Sequence, residues 1–158
     1  MAAKRARPPE SLGIDVMGRI PGLGTTVIGP DEAEWRPAPG APPRSFEMAP
    51  LVGSYLRPEF YACYARWYPG WMSAPHTYEV DRFAVTVSGI WTVGAGPEID
   101  LAQAIPMRPG EFSMRRAGTA HYDGALPEAT EPAVFVLFGQ GPAVPALVGT
   151  SDSIYVNL

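Results

Sequence analysis

Phe83-Ala84-Val85-Thr86-Val87-Ser88-Gly89-Ile90-Trp91-Thr92-Val93-Gly94 is the stretch that decides the class of fold. Two runs of apolar and β-branched residues, each of strand length, flank a single glycine, the pattern of two strands. It predicts strands over residues 83–88 and 90–93, with Gly89 turning a hairpin. The same texture continues on both sides, giving further strands over residues 61–68, 72–77, 110–114, 133–139 and 153–156, punctuated at short spacing by Gly and Pro. The 19 prolines and 17 glycines leave few windows in which an ordinary helix could run. The exception is residues 97–104, read as a short helical turn capped by Asp100. Many short strands in one chain need their edges managed, and a closed double-sheet jelly roll manages them.

Upstream the texture changes. Residues 1–50 are rich in Pro and Gly, with Pro37, Pro39, Pro42 and Pro43 close together, and read as an extended arm carrying at most short strands. The chain is therefore expected to divide into an arm over residues 1–48, packing on a barrel over residues 49–158. Gly22-Leu23-Gly24-Thr25-Thr26-Val27-Ile28-Gly29 has the look of a glycine loop, but it lacks the lysine and the strand-to-helix setting of a phosphate site. It reads as a turn before a strand.

Composition excludes several functions. A length of 158 residues suits one domain with its own core. With 12 Lys and Arg against 16 Asp and Glu, the net charge of -4 lacks the basic footprint of a nucleic-acid binder. The apolar run Ala133-Val134-Phe135-Val136-Leu137-Phe138 is strand-length, far short of the roughly 20 residues of a membrane helix, so no membrane association is expected. Cys63, the one cysteine, cannot form an internal disulfide and reads as a buried apolar residue. Met1 to Glu10 carries basic residues with no apolar core after them, so a frayed cytoplasmic start is expected.

A family resemblance enters with the histidines. Gly70-Trp71-Met72-Ser73-Ala74-Pro75-His76-Thr77-Tyr78, with Arg82 and then Gly89, resembles the first cupin motif, in which a glycine, His-x-His, a glutamate and a second glycine recur at fixed spacing. Gly110, Gly118 and His121 hold the corresponding places of the second motif. These are the only 2 histidines in the chain, one in each motif. The phrases around Val85 to Gly89, Trp91 to Gly96, Pro109 to Phe112 and His121 to Ala125 resemble small single-domain cupins of unassigned function. The likeness covers residues 49–158.

What the resemblance implies is an all-β fold, the double-stranded β-helix jelly-roll barrel, with His76 and His121 facing one pocket. Cupins with the full motif hold a divalent metal through three histidines and a glutamate, commonly iron or zinc, with manganese and nickel open. They carry out oxygenase, lyase or isomerase chemistry on small organic molecules, and such domains often pair as homodimers. Here the second histidine of the first motif is Tyr78 and its glutamate is Arg82, while Arg116 and Ala125 replace a proline and an asparagine of the second.

His76 and Tyr78 lie two apart, so on a strand they share a face, and a tyrosine beside a cation can ligate as phenolate. His76, His121 and Tyr78 are thus the metal candidates, weighed against ordinary buried histidines and a barrel-lining tyrosine. Arg82 has no lone pair for a metal and repels one. It is a candidate to clamp an anionic ligand with His76, the alternative function being a non-catalytic barrel with a degenerate metal site; it otherwise reads as a turn arginine paired with Asp81, Glu79 or Glu111. Asp81 is a further residue that a turn could bring toward the ion. Tyr61, Trp91 and Tyr122 join Arg82 as candidates to touch a small-molecule ligand, the first two reading in the first place as core or dimer-interface aromatics. Tyr122 and Asp123 are also placed to orient His121.

Overall fold

Burial alternates along the strands. In Phe60–Trp67, Tyr61, Cys63, Ala65 and Trp67 are buried while the residues between them are partly exposed, the period of two that one packed face imposes. The computed structural model describes residues 19–20 and 25–158, in two units that divide between Ala33 and Glu34. In the first, β1 (Arg19–Ile20) pairs antiparallel with β2 (Thr25–Thr26). The readings made for Met1 to Glu10 and for Gly22-Leu23-Gly24 fall outside the described residues.

The second unit is built of β3 (Arg36–Pro37), β4 (Phe46–Val52), β5 (Phe60–Trp67), β6 (Trp71–Ser73), β7 (His76–Thr77), β8 (Arg82–Ser88), β9 (Trp91–Ala95), β10 (Ile105–Met107), β11 (Phe112–Arg115), β12 (His121–Ala125), β13 (Ala133–Gln140), β14 (Ala146–Leu147) and β15 (Tyr155–Asn157). One antiparallel sheet runs β11-β8-β13-β5-β4-β3. The other runs β10-β9-β12-β6-β15, and β7 joins it between β12 and β14. Trp91 of the second sheet stacks on Phe135 of the first at 4.0 Å and 8°, closing the core between the sheets. No helix occurs among the described residues, and none is long and apolar enough to cross a membrane.

Four local readings change. Gly89 turns no hairpin: β8 pairs with β11 and β13, and β9 with β10 and β12, so the chain switches sheets there. Glycine is needed at that corner because φ is 68° and a Cβ would lie 2.4 Å from the Pro132 carbonyl oxygen. The run over residues 72–77 is broken at Ala74-Pro75, where proline has no N–H to give the ladder. Residues 97–104 form a turn without a helix; Asp100 Oδ1 accepts the Ala102 N–H at 3.0 Å. Phe46–Val52, within the proline-rich region, is a full strand that crosses residue 48 and pairs along β5.

Candidate functional site

Register builds the site. His121 of β12 lies directly opposite His76 of β7, and residues opposed on neighbouring strands point to one face. The two imidazole rings are 4.3 Å apart, at 56° to one another. Tyr78, two residues beyond His76, stands edge-on to that ring at 5.1 Å and is stacked on His121 at 5.7 Å. The structure brings these three side chains together from two distant segments.

Each imidazole is fixed in the same way. His76 Nδ1 is 2.8 Å from the Ala74 carbonyl oxygen, and His121 Nδ1 is 2.8 Å from that of Thr119. A carbonyl only accepts, so Nδ1 carries the proton in both rings and each Nε2 keeps a lone pair. The Nε2 of His121 is buried without a partner. Both histidines are held below their ordinary pKa. Burial is the main cause for His76, while burial and then the Arg115 guanidinium take His121 down to about 3. Both rings are neutral at neutral pH, and both present acceptors.

Arg82 does not pair with Asp81, Glu79 or Glu111. Its Nε donates to the Tyr61 hydroxyl at 3.2 Å, and its guanidinium carbon lies 3.9 Å from the centre of the Tyr78 ring. Asp81 is exposed and turned away, accepting the Ala117 N–H at 2.8 Å, because the turn after Tyr78 directs Arg82 inward in its place. Glu111 caps the Arg108 N–H at 2.7 Å.

Arg115 is the residue the sequence reading missed. It pairs in register with Arg82 across β11 and β8, so two guanidiniums stand side by side on one inward face. Its Nη2 lies 3.8 Å from Asp123 Oδ2, too far for a hydrogen bond, and has no other partner. Extending the strand predicted over residues 110–114 by one position, with its alternation, places Arg115 on the face of Ser113. Asp123 does not orient His121; its Oδ1 accepts the Trp67 indole N–H at 2.9 Å.

A cavity of about 260 Å³ has its polar end at this cluster, but His121, packed on His76 and Tyr78, is not among its lining residues. His76, Tyr78, Arg82, Arg115 and Asp123 line that end, and Phe46, Trp67, Trp91, Phe135 and Leu137 supply apolar wall. Trp91, a ligand candidate, lines the cavity with its indole nitrogen unpartnered. Tyr61 stands behind Arg82 and is not among the lining residues. Tyr122 is not brought to the cavity: it neighbours His121 on the strand and so faces the other way, its hydroxyl donating to the Asp100 carbonyl at 2.7 Å.

Comparison with known structures matches this arrangement of strands. The polyketide cyclase RemF from Streptomyces resistomycificus superposes with a TM-score of 0.66 at 14% identity, covering 82% of this chain and 89% of that one. A cupin-like protein from Thermotoga maritima matches with a TM-score of 0.53 at 14% identity, over 66% of this chain and 76% of its own. The fold is the cupin fold. The DMSP lyase DddQ from Ruegeria pomeroyi shares it with a TM-score of 0.56 at 15% identity, and there the match covers 73% of this chain and only 60% of the lyase. No family model and no curated protein matches the sequence. The barrel thus places His76 and His121 side by side, with Tyr78 packed on both rings and Arg82 over the Tyr78 ring.

Proposed function

We propose that this protein binds a small organic anion in its barrel, held by Arg82 and Arg115, with His76 as a hydrogen-bond acceptor beside it. The observation that carries the reading is the in-register pair of inward guanidiniums with one carboxylate, Asp123, to balance them. Like charges opposed across a strand pair destabilise a sheet, and a charge held from water needs a partner. An anionic group of a ligand supplies the second negative charge and can accept two parallel hydrogen bonds from a guanidinium. The apolar walls take the rest of the molecule.

The divalent ion expected of complete cupin motifs is a poor fit to these side chains. Two neutral Nε2 atoms are suitable donors, and the orphaned Nε2 of His121 is the feature in favour of an ion. Beyond them the donor set fails. Arg82 stands where a carboxylate ligand is required, and burial raises the Tyr78 phenol, keeping it protonated. No group of three His, Cys, Asp or Glu suited to an ion occurs among the described residues. A cation there would also face two guanidiniums that already disfavour positive charge on the imidazoles.

Equilibrium dialysis tests the reading. The native protein is expected to bind benzoate and to leave Zn²⁺ and Co²⁺ in solution, whereas Arg82→Glu reverses both properties, restoring a carboxylate beside two imidazoles and removing half of the anion clamp. Stoichiometric retention of either metal by the native protein, abolished in a His76→Ala, His121→Ala double variant, overturns the proposal in favour of a metal-dependent oxygenase, lyase or isomerase.

A further inference from the structure

We infer that the ligand is an amphiphilic monocarboxylate, an acid with one charged head and an extended apolar tail, bound head-inward with its tail leading to the mouth of the cavity. The inference rests on the anion reading above and narrows it. Charge sets the head. Arg82 and Arg115 bring two positive charges to the polar end against one negative charge on Asp123, so a single negative charge is lacking there. A monoanion supplies it, whereas a dianion held at the same place reverses the imbalance and leaves one of its own charges unpaired away from water. The buried Nη2 of Arg115, which has no partner, is a donor for the carboxylate.

The distribution of polarity sets the direction. The charged side chains lie inside, that of Arg115 being 15% exposed and that of Asp123 14%. The lining residues that reach solvent are apolar: Leu56 and Val144 are each 57% exposed, and Pro39 and Pro145 are exposed as well. This inverts the ordinary arrangement, in which charged residues stay at the surface and apolar ones withdraw from it. Hydrogen bonds hold the rim in place. The Ala143 N–H donates to the Tyr55 carbonyl at 2.6 Å, tying together the loops that carry Val144 and Leu56, and the Tyr155 hydroxyl donates to the Pro39 carbonyl at 3.0 Å. A compact polar anion leaves this apolar rim in water, whereas a tail lying along it removes apolar surface from water on both sides. A second charge at the tail's end would find no partner there. At roughly 30 Å³ for each water-sized group, a cavity of about 260 Å³ takes roughly eight or nine groups, head and tail together.

Titration calorimetry on the full chain with butyrate, hexanoate, octanoate, octanedioate and octanol tests the inference. Octanoate is expected to bind at least about tenfold more tightly than butyrate, each methylene contributing about two- to fourfold as it leaves water. It is also expected to exceed octanedioate and octanol by at least about tenfold, the first for its unpaired second charge and the second for its missing charge. A Leu56→Ser, Val144→Ser double variant, at two exposed loop positions, is expected to lower the octanoate-to-butyrate ratio several-fold. An affinity independent of chain length, octanedioate binding as tightly as octanoate, or a ratio unchanged in the double variant overturns the inference and leaves the anion reading standing. Octanol binding as tightly as octanoate, or absence of binding by every acid, removes both.

Discussion

Arg82 and Arg115 occupy opposed positions where a sheet built for stability alone would not place two cations. Each has some compensation: Arg82 rests on the Tyr78 ring and the Tyr61 hydroxyl, and Arg115 has Asp123 nearby. The sum remains one positive charge in excess, since both histidines are neutral. Replacing a partly buried charge by an apolar group of similar length is often neutral or stabilising. Arg82→Met is therefore expected to leave the unliganded protein as stable as the native one, or up to about 1 kcal/mol more stable, while weakening benzoate binding at least tenfold. Urea denaturation and calorimetry on the same preparation check this. A loss of stability well beyond 1 kcal/mol with binding unchanged would show that Arg82 is a structural prop.

At the scale of elements, β12 carries the site, and its packing depends on two glycines. A Cβ on Gly94 of β9 would lie 2.1 Å from the Tyr122 ring, and one on Gly124 would lie 2.4 Å from the Trp71 carbonyl oxygen. Gly94→Ala is expected to cost about 1–3 kcal/mol, as overpacking does, by driving Tyr122 off its hydrogen bonds to Asp100. In a Tyr122→Ala background the same change should cost almost nothing, and a double-mutant cycle by thermal denaturation measures the difference. Additive penalties would place the strain elsewhere. The strand that matters most was the one least legible in the sequence. His121-Tyr122-Asp123-Gly124-Ala125 contains no β-branched residue, and its strand character comes from pairing with β9, β6 and β7. Its histidine was legible through motif spacing all the same. Val85 to Ser88 and Ala133 to Phe138 were readable because apolar runs reflect burial directly. Gly89 was misread because a hairpin and a sheet-switching corner share one local pattern, and only distant pairing separates them. Arg115 was missed because a charged residue at a strand end reads as solvated until its partner across the sheet is known.

For the whole molecule, the neutral histidine pair ties global stability to pH. His121 titrates at about 3 in the folded chain, against an ordinary value of 6.5, and His76 is shifted in the same direction. The groups facing them are Arg115, Arg82, Asp123 and Tyr78; of these only Asp123 favours the charged rings, and burial outweighs it. Below pH 6.5 the unfolded chain takes up protons that the folded one refuses, so stability is fully present above that value and is lost progressively as pH falls. The slope approaches about 1.4 kcal/mol per pH unit for each histidine that stays neutral in the fold. Between pH 6.5 and about 5 most carboxylates remain ionised, so the histidines dominate the change there. Urea midpoints measured at steps across this window are expected to fall steadily in the native protein and roughly half as steeply in His121→Gln, which retains an acceptor near the position of Nε2 but has nothing to protonate. A flat native profile would mean that the imidazoles accept protons in the fold, and the neutral state of the pair would be lost with it.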